Sequence, residues 1–214
     1  MDMATAERTD LADFLATLTP GEWVAPSLCE GWRVRDVVAH VMSFDVDLPV
    51  MLRRAVRARF RDVNQVGVDE LRSLGTDELL DRLRARLRPQ RLATTFRGRL
   101  ALLDVTIHHQ DIRRPLGRPR EIPADRLRVV LADALRSPEL PAWRLGRGIR
   151  LVPTDLDWVH GRGPEITGPA EAVLMAVTGR ASALGELDGP GVAVLARRFG
   201  SALPPRTPPS APRA

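Results

Sequence analysis

Apolar positions recur at helical spacing over most of the first 137 residues. Leu11, Phe14, Leu15 and Leu18 predict a first helix over about 4–18. Thr19-Pro20-Gly21-Glu22 is a second start signal, with a threonine cap, proline in the first turn and glutamate three residues after the threonine. A short helical turn carrying Trp23 follows, then a loop over 26–31. Val34, Val37, Val38 and Val41 predict a second long helix opening at Trp32 and running to about Phe60, with Pro49 kinking or breaking it. Its later part, Arg53 to Arg61, is strongly cationic and is expected to face solvent. Residues 64–75 read as a connection. Thr76-Asp77-Glu78 caps a third helix with Leu79, Leu80, Leu83 and Leu87 inward, ended by Pro89. A fourth helix runs from about Phe96 to Ile112, and Pro115 to Pro119 form a rigid turn. A fifth, from Pro123 or Ala124, points Leu127, Val130, Leu131 and Leu135 inward.

After Ser137-Pro138 the pattern changes. Gly148 to Pro153 and Leu156 to His160 predict two short strands, and 161–168 a glycine-rich loop. Helices follow from Pro169 to Gly179 and from Val192 to Phe199. The fold class expected is mainly α: an up-down helical bundle over 1–137, a small α/β subdomain over 138–200, and a disordered Pro-rich tail over 201–214.

The fourth helix carries the chemistry. Asp104 and His108 are four residues apart and share one helix face, and Asp111 continues the stripe three residues on. Leu100, Leu103 and Ile107 flank it, so these polar groups are expected to face the core side, where leaving them unpaired costs on the order of several kcal/mol. A divalent metal would offset that cost. In a bundle the third ligand comes from a facing helix, and His40, at the edge of the valine stripe, supplies it. Two histidines and a carboxylate with an open position suit catalytic zinc, and also Fe(II) or Ni(II). Asp111 either bonds a ligand imidazole or packs the helix end. His109 is rotated away from His108, toward another helix or solvent; His160 reads as a strand-end surface residue. Arg113 and Arg114 complement the helix C-terminus or meet an anion.

Composition narrows the picture. The single cysteine, Cys29, rules out an internal disulfide and a Cys-rich zinc cluster, and it reads as a small apolar filler. No apolar run reaches the roughly 18 residues needed to cross a bilayer, and the N-terminus lacks a secretory profile, so a cytoplasmic protein without a membrane partner is expected. The net charge of +5 comes entirely from arginine, with no lysine, as a GC-rich genome would give. The arginines alternate with acids (Arg35-Asp36, Arg61-Asp62, Asp81-Arg82), as on a solvated face, so no nucleic-acid partner is expected.

The segment Glu30-Gly31-Trp32-Arg33-Val34-Arg35-Asp36-Val37-Val38-Ala39-His40-Val41 resembles the first-histidine segment of the mycothiol-dependent maleylpyruvate isomerase family, one of the DinB-like metal-binding bundles of actinobacteria. Asp104 to Gly117 resembles its second metal segment: an acidic residue, three spacers, His, two spacers, Asp. Leu151 to Trp158, Gly163 to Ala172 and Thr178-Gly179-Arg180 are similar to its α/β portion. The resemblance implies a DinB-like up-down four-helix bundle and a site of His40, Asp104 and His108 holding zinc or, alternatively, nickel or iron. It also implies mycothiol, a low-molecular-weight thiol, as co-substrate, and a small electrophilic substrate undergoing cis–trans isomerisation or thiol S-transfer. Two positions depart from the pattern: Asp104, where the isomerases more often carry Glu, and Arg33, where a Ser or Thr cap is expected. The alternatives on the same bundle are a thiol-independent metal-dependent hydrolase and a non-catalytic metal or small-ligand binding protein.

Overall fold

A computed structural model describes residues 1–59, 62–138 and 140–200; the Pro-rich tail expected over 201–214 lies outside the described residues. The chain divides into two compact units, Met1–Arg120 and Glu121–Ala214. The fold is mainly α, with a four-helix bundle in the first unit and a small α/β arrangement in the second. No helix among the described residues is long and apolar enough to cross a membrane.

In the first unit the bundle consists of α1 (Asp2–Leu15), α3 (Val34–Ser43), α6 (Thr76–Arg84) and α7 (Arg99–Arg113). Helix α1 packs on α6 and α7, and α3 on the same two. Leu11, Phe14, Leu15, Val34, Val37, Val38, Val41, Leu79, Leu83, Val105 and Ile112 form one buried cluster, the stripes expected from periodicity. Between α1 and α3 lies the single turn α2 (Pro20–Trp23), closed by the capping box of Thr19 and Glu22.

The long second helix is interrupted. Helix α3 ends at Ser43, and α4 (Leu48–Arg57) begins afresh with Asp47 at its cap and Pro49 in its first turn. Proline therefore starts a helix here, because its missing N–H falls where no intrahelical bond is made. Arg54 is buried, against expectation: it donates to the Ser43 carbonyl at 2.6 Å and pairs with Glu70 at 2.6 Å. The expected connection over 64–75 contains α5 (Val63–Glu70), whose N–H at Gln65 is capped by Asp62. Helix α7 begins at Arg99, after a 3₁₀ segment over Arg91–Gly98.

In the second unit α8 (Ala124–Ala134), grouped with the bundle by periodicity, packs against α10 (Ala170–Val177). It is followed by α9 (Ala142–Leu145). The strands β1 (Arg150–Pro153) and β2 (Glu165–Gly168) are parallel, with Leu151 opposite Ile166. The second strand expected at Leu156 to His160 is reduced to one bridge between Leu151 and His160, and β2 forms in the segment read as loop. Gly161 and Gly163, both at positive φ, turn the chain back beside β1, where a side chain would meet the carbonyls of Ile149 and Gly148. Helix α11 (Pro190–Arg198) follows the turn at Gly189.

Candidate metal centre

Helix α7 is buried almost all round, and Asp104 and His108 are the half-buried polar positions between its ends. They open one side of the helix toward α3, from which His40, 3% exposed, projects. Asp104 Oδ1 lies 3.5 Å from His40 Nε2 and 3.5 Å from His108 Nε2. One ligand atom from each of the three residues lies within 4.8 Å of the others.

These separations test the fit of a metal. Bonds of about 2.0–2.2 Å to imidazole nitrogen and carboxylate oxygen give tetrahedral edges of about 3.3–3.6 Å. The 3.5 Å spacings match those edges and exceed a good N–H···O bond, about 2.7–3.2 Å long. His40 Nδ1 is buried with no hydrogen-bond partner among the described residues, so the burial of this nitrogen is not repaid by a hydrogen bond. The Trp32 ring at 4.9 Å, the Phe44 ring at 5.1 Å and the His108 ring at 4.6 Å enclose it. The donor set fits a borderline divalent ion.

The imidazole of His108 is oriented from behind. Asp111, fully buried, accepts from His108 Nδ1 at 2.9 Å, which leaves Nε2 facing Asp104 and His40. Asp111 also accepts from the Cys29 thiol at 3.2 Å, and Cys29 Sγ stands 3.5 Å from His108 Nδ1. Cys29 is brought there because the Leu28 N–H donates to the Asp111 carbonyl at 3.0 Å and the 29–32 turn closes on Gly31, at φ +78. Nothing in the periodicity of that loop marked Cys29 as a neighbour of the fourth helix. Arg33 occupies the α3 cap without an accepting side chain, and Asp36 takes the Arg33 N–H at 3.0 Å instead.

Charge follows from this packing. Burial opposes the Asp104 charge, yet the His108 imidazole and then that of His40 hold its carboxyl well below the usual carboxylate range. Burial likewise disfavours a charged His108, but Asp104, Asp111 and Cys29 together raise it well above the ordinary imidazole value.

A second polar cluster sits on the opposite side of α7. His109 is fully buried, with Nδ1 3.0 Å from Glu7 Oε1 and Nε2 accepting from Arg113 Nε at 2.8 Å. Arg120 binds both Glu7 oxygens, and the Arg113 guanidinium lies 3.8 Å over the Phe14 ring. Arg113 therefore binds His109 rather than only closing the helix end. Burial pushes His109 down to about 4, helped by the neighbouring arginines and opposed by Glu7. In the second unit His160 is exposed and stacks on Trp158 at 5.7 Å.

The chain is similar to known proteins. Residues 4–95 match the family described as Mycothiol maleylpyruvate isomerase N-terminal domain. A structure described as "Crystal structure of the mycothiol-dependent maleylpyruvate isomerase" superposes with a TM-score of 0.63 at 18% identity, covering 96% of this chain and 95% of that one. A mutant of that enzyme gives 0.62 at 17% identity, with the same 96% and 95% coverage. At these identities the structural likeness is one of fold. No curated protein matches the sequence.

Proposed function

We propose that this chain, whose residues 4–95 match the family described as Mycothiol maleylpyruvate isomerase N-terminal domain, is a metal-dependent enzyme that uses mycothiol to act on a small electrophilic substrate. The observation that carries the reading is the pair of 3.5 Å spacings from Asp104 to His40 and His108, on the half-buried face of an otherwise buried helix. His40, Asp104 and His108 would hold the ion, zinc first, with nickel or iron as alternatives. A divalent ion held there would lower the pKa of a thiol that reached it and so supply thiolate at neutral pH.

The protein's own groups have distinct tasks. Asp111 holds the proton of His108 on Nδ1, so that Nε2 offers its lone pair to the ion. The Trp32 and Phe44 rings pack around His40 and keep water from its buried edge. The Glu7–His109–Arg120 cluster ties α1 to α7 and fixes the height of the ligand stripe. Thiolate addition to an activated double bond leaves a single bond about which the substrate turns, and expulsion of the same thiolate restores the alkene in the other geometry. Where a leaving group departs with the electron pair instead, the thiol stays attached and the reaction is a transfer.

The test is turnover of electrophilic alkenes and halides by metal-loaded protein with and without mycothiol. Thiol-dependent turnover supports the reading. Failure to bind mycothiol, with no thiol-dependent turnover of any electrophile, overturns it, and thiol-independent turnover selects hydrolysis.

A further inference from the structure

On α1 the inward positions Ala4, Arg8, Leu11 and Leu15 follow the helical period, and one of them is an arginine. Arg8 is 2% exposed and its partner, Asp45, 3%. The two meet end-on: Arg8 Nη1 donates to Asp45 Oδ2 at 2.8 Å, and Nη2 to Oδ1 at 3.2 Å. We propose that Arg8 and Asp45 are positioning residues for the metal centre, a buried strut that sets the distance from His40 to Asp104 and His108. The proposal rests on the reading of those three side chains as ligands of a divalent ion.

Connectivity comes first. His40 stands on α3 and Asp104 on α7, so their 3.5 Å spacing is only as constant as the separation of the two helices. Helices α1 and α3 each pack on α6 and α7, which makes them diagonal partners in the bundle. Arg8 crosses that diagonal just past the end of α3, where Asp45 follows directly on Phe44. The Phe44 and His40 rings meet edge to face at 5.1 Å, so what holds Asp45 holds the wall of the ligand imidazole. The same ion pair takes in the segment after α6: Arg8 Nη1 donates to the Arg86 carbonyl at 2.9 Å, and Asp45 Oδ1 accepts from the Gln90 N–H at 3.2 Å. One residue earlier on α1, Glu7 binds His109, the neighbour of His108. Adjacent residues of one helix therefore brace both helices that carry the ligands.

The strut is a poor source of stability. Both charges lose their water, and Arg8 Nε has no hydrogen-bond partner among the described residues. An apolar pair of similar volume in such a place is commonly neutral or stabilising. What the ion pair supplies, and an apolar pair lacks, is direction: two parallel N–H···O bonds fix the carboxylate against the plane of the guanidinium. A metal site needs that direction, because its ligand atoms have to be held within about 0.5 Å of their working positions.

The test uses the full chain as wild type, as the double variant Arg8→Met/Asp45→Leu, and as Phe44→Leu. The double variant keeps the volume of the strut without its direction; Phe44→Leu keeps the strut and removes the ring it holds. Each protein is unfolded in urea without metal, titrated with Zn(II) in competition with a chelator, and loaded with Co(II) for its visible absorption. In the double variant the metal-free urea midpoint is expected to stay level or rise, while Zn(II) affinity falls about tenfold. Its Co(II) band is expected to shift and weaken as the ligands lose their tetrahedral spacing. Phe44→Leu is expected to lower Zn(II) affinity by a similar factor, and it carries the test if the double variant does not fold. Wild-type Zn(II) affinity with an unchanged Co(II) band in either variant overturns the proposal and leaves the ligand assignment standing. Zn(II) binding that His40→Ala leaves intact overturns the ligand assignment, and the strut with it.

Discussion

Asp111 accepts a hydrogen bond from His108 Nδ1 at 2.9 Å, and this one contact decides which ring atom faces the site. A carboxylate can only accept, so Nδ1 carries the proton and the lone pair of Nε2 is left facing the site beside Asp104 and His40. Asp111→Asn keeps the shape and an accepting oxygen but removes the charge that makes the imidazole a stronger ligand. Metal affinity, measured by competition with a chelator, is expected to fall about 10–100-fold. Unchanged affinity would remove Asp111 from the site.

The three proposed ligands make separable predictions for heat stability. At metal concentrations about 100 times Kd, binding to the folded state alone contributes about 2.7 kcal/mol. For a chain of this size that corresponds to a rise in Tm of about 5–10 °C. His40→Ala, Asp104→Ala and His108→Ala are each expected to abolish that rise. Without metal, His40→Ala also removes a buried nitrogen that has no partner, so its own cost is smaller than that of an ordinary core truncation. A full metal-induced shift in His40→Ala would show that the ion sits elsewhere.

Cys29, His108 and Asp111 form a second trio of metal-type donors. Their 2.9 and 3.2 Å contacts are hydrogen-bond lengths, shorter than the edge of a coordination tetrahedron. The trio is therefore read as support for His108 rather than as a ligand set. Cys29→Ser keeps a donor for Asp111 and is expected to change metal affinity less than about threefold. The Co(II)-substituted protein is expected to lack a thiolate-to-metal charge-transfer band; a strong band lost in Cys29→Ser would assign the ion to the other trio.

Much of this arrangement was legible in the residues because helical periodicity is a local property. The stripes of α1, α3, α6 and α7 follow directly from the sequence, and the spacing of Asp104, His108 and Asp111 puts them on one helix face. What escaped was set by contacts distant in sequence. The break after Ser43 depends on Arg54 reaching back to the Ser43 carbonyl, and β2 depends on the return at Gly161 and Gly163. Cys29 gained its place only because Leu28 is hydrogen-bonded to α7, 83 residues on. Glu7 and Arg120, which the periodicity does not single out, meet at His109 in the interior.

That interior cluster gives the protein a specific acid sensitivity. His109 is held near 4, far below its unfolded value of about 6.5, so it stays neutral in the folded protein at neutral pH. Between these two values the unfolded chain binds a proton that the folded chain refuses, so the His109 contribution is complete above about pH 6.5 and is lost as pH falls toward 4. Glu7 adds a second window: burial opposes its charge, but His109 and Arg120 bring it down to about 2. Its contribution is complete above about pH 4.5 and is lost as pH falls toward 2. Urea denaturation of the wild type is therefore expected to show stability falling by on the order of 3 kcal/mol between pH 6.5 and 4. His109→Gln places an amide N–H toward Glu7 and an amide oxygen toward Arg113, reproducing both hydrogen bonds without a titrating ring. At pH 7.5 the variant should lie within about 2 kcal/mol of wild type, and its stability should be nearly flat across the upper window. An undiminished acid slope in His109→Gln would assign the sensitivity to other groups.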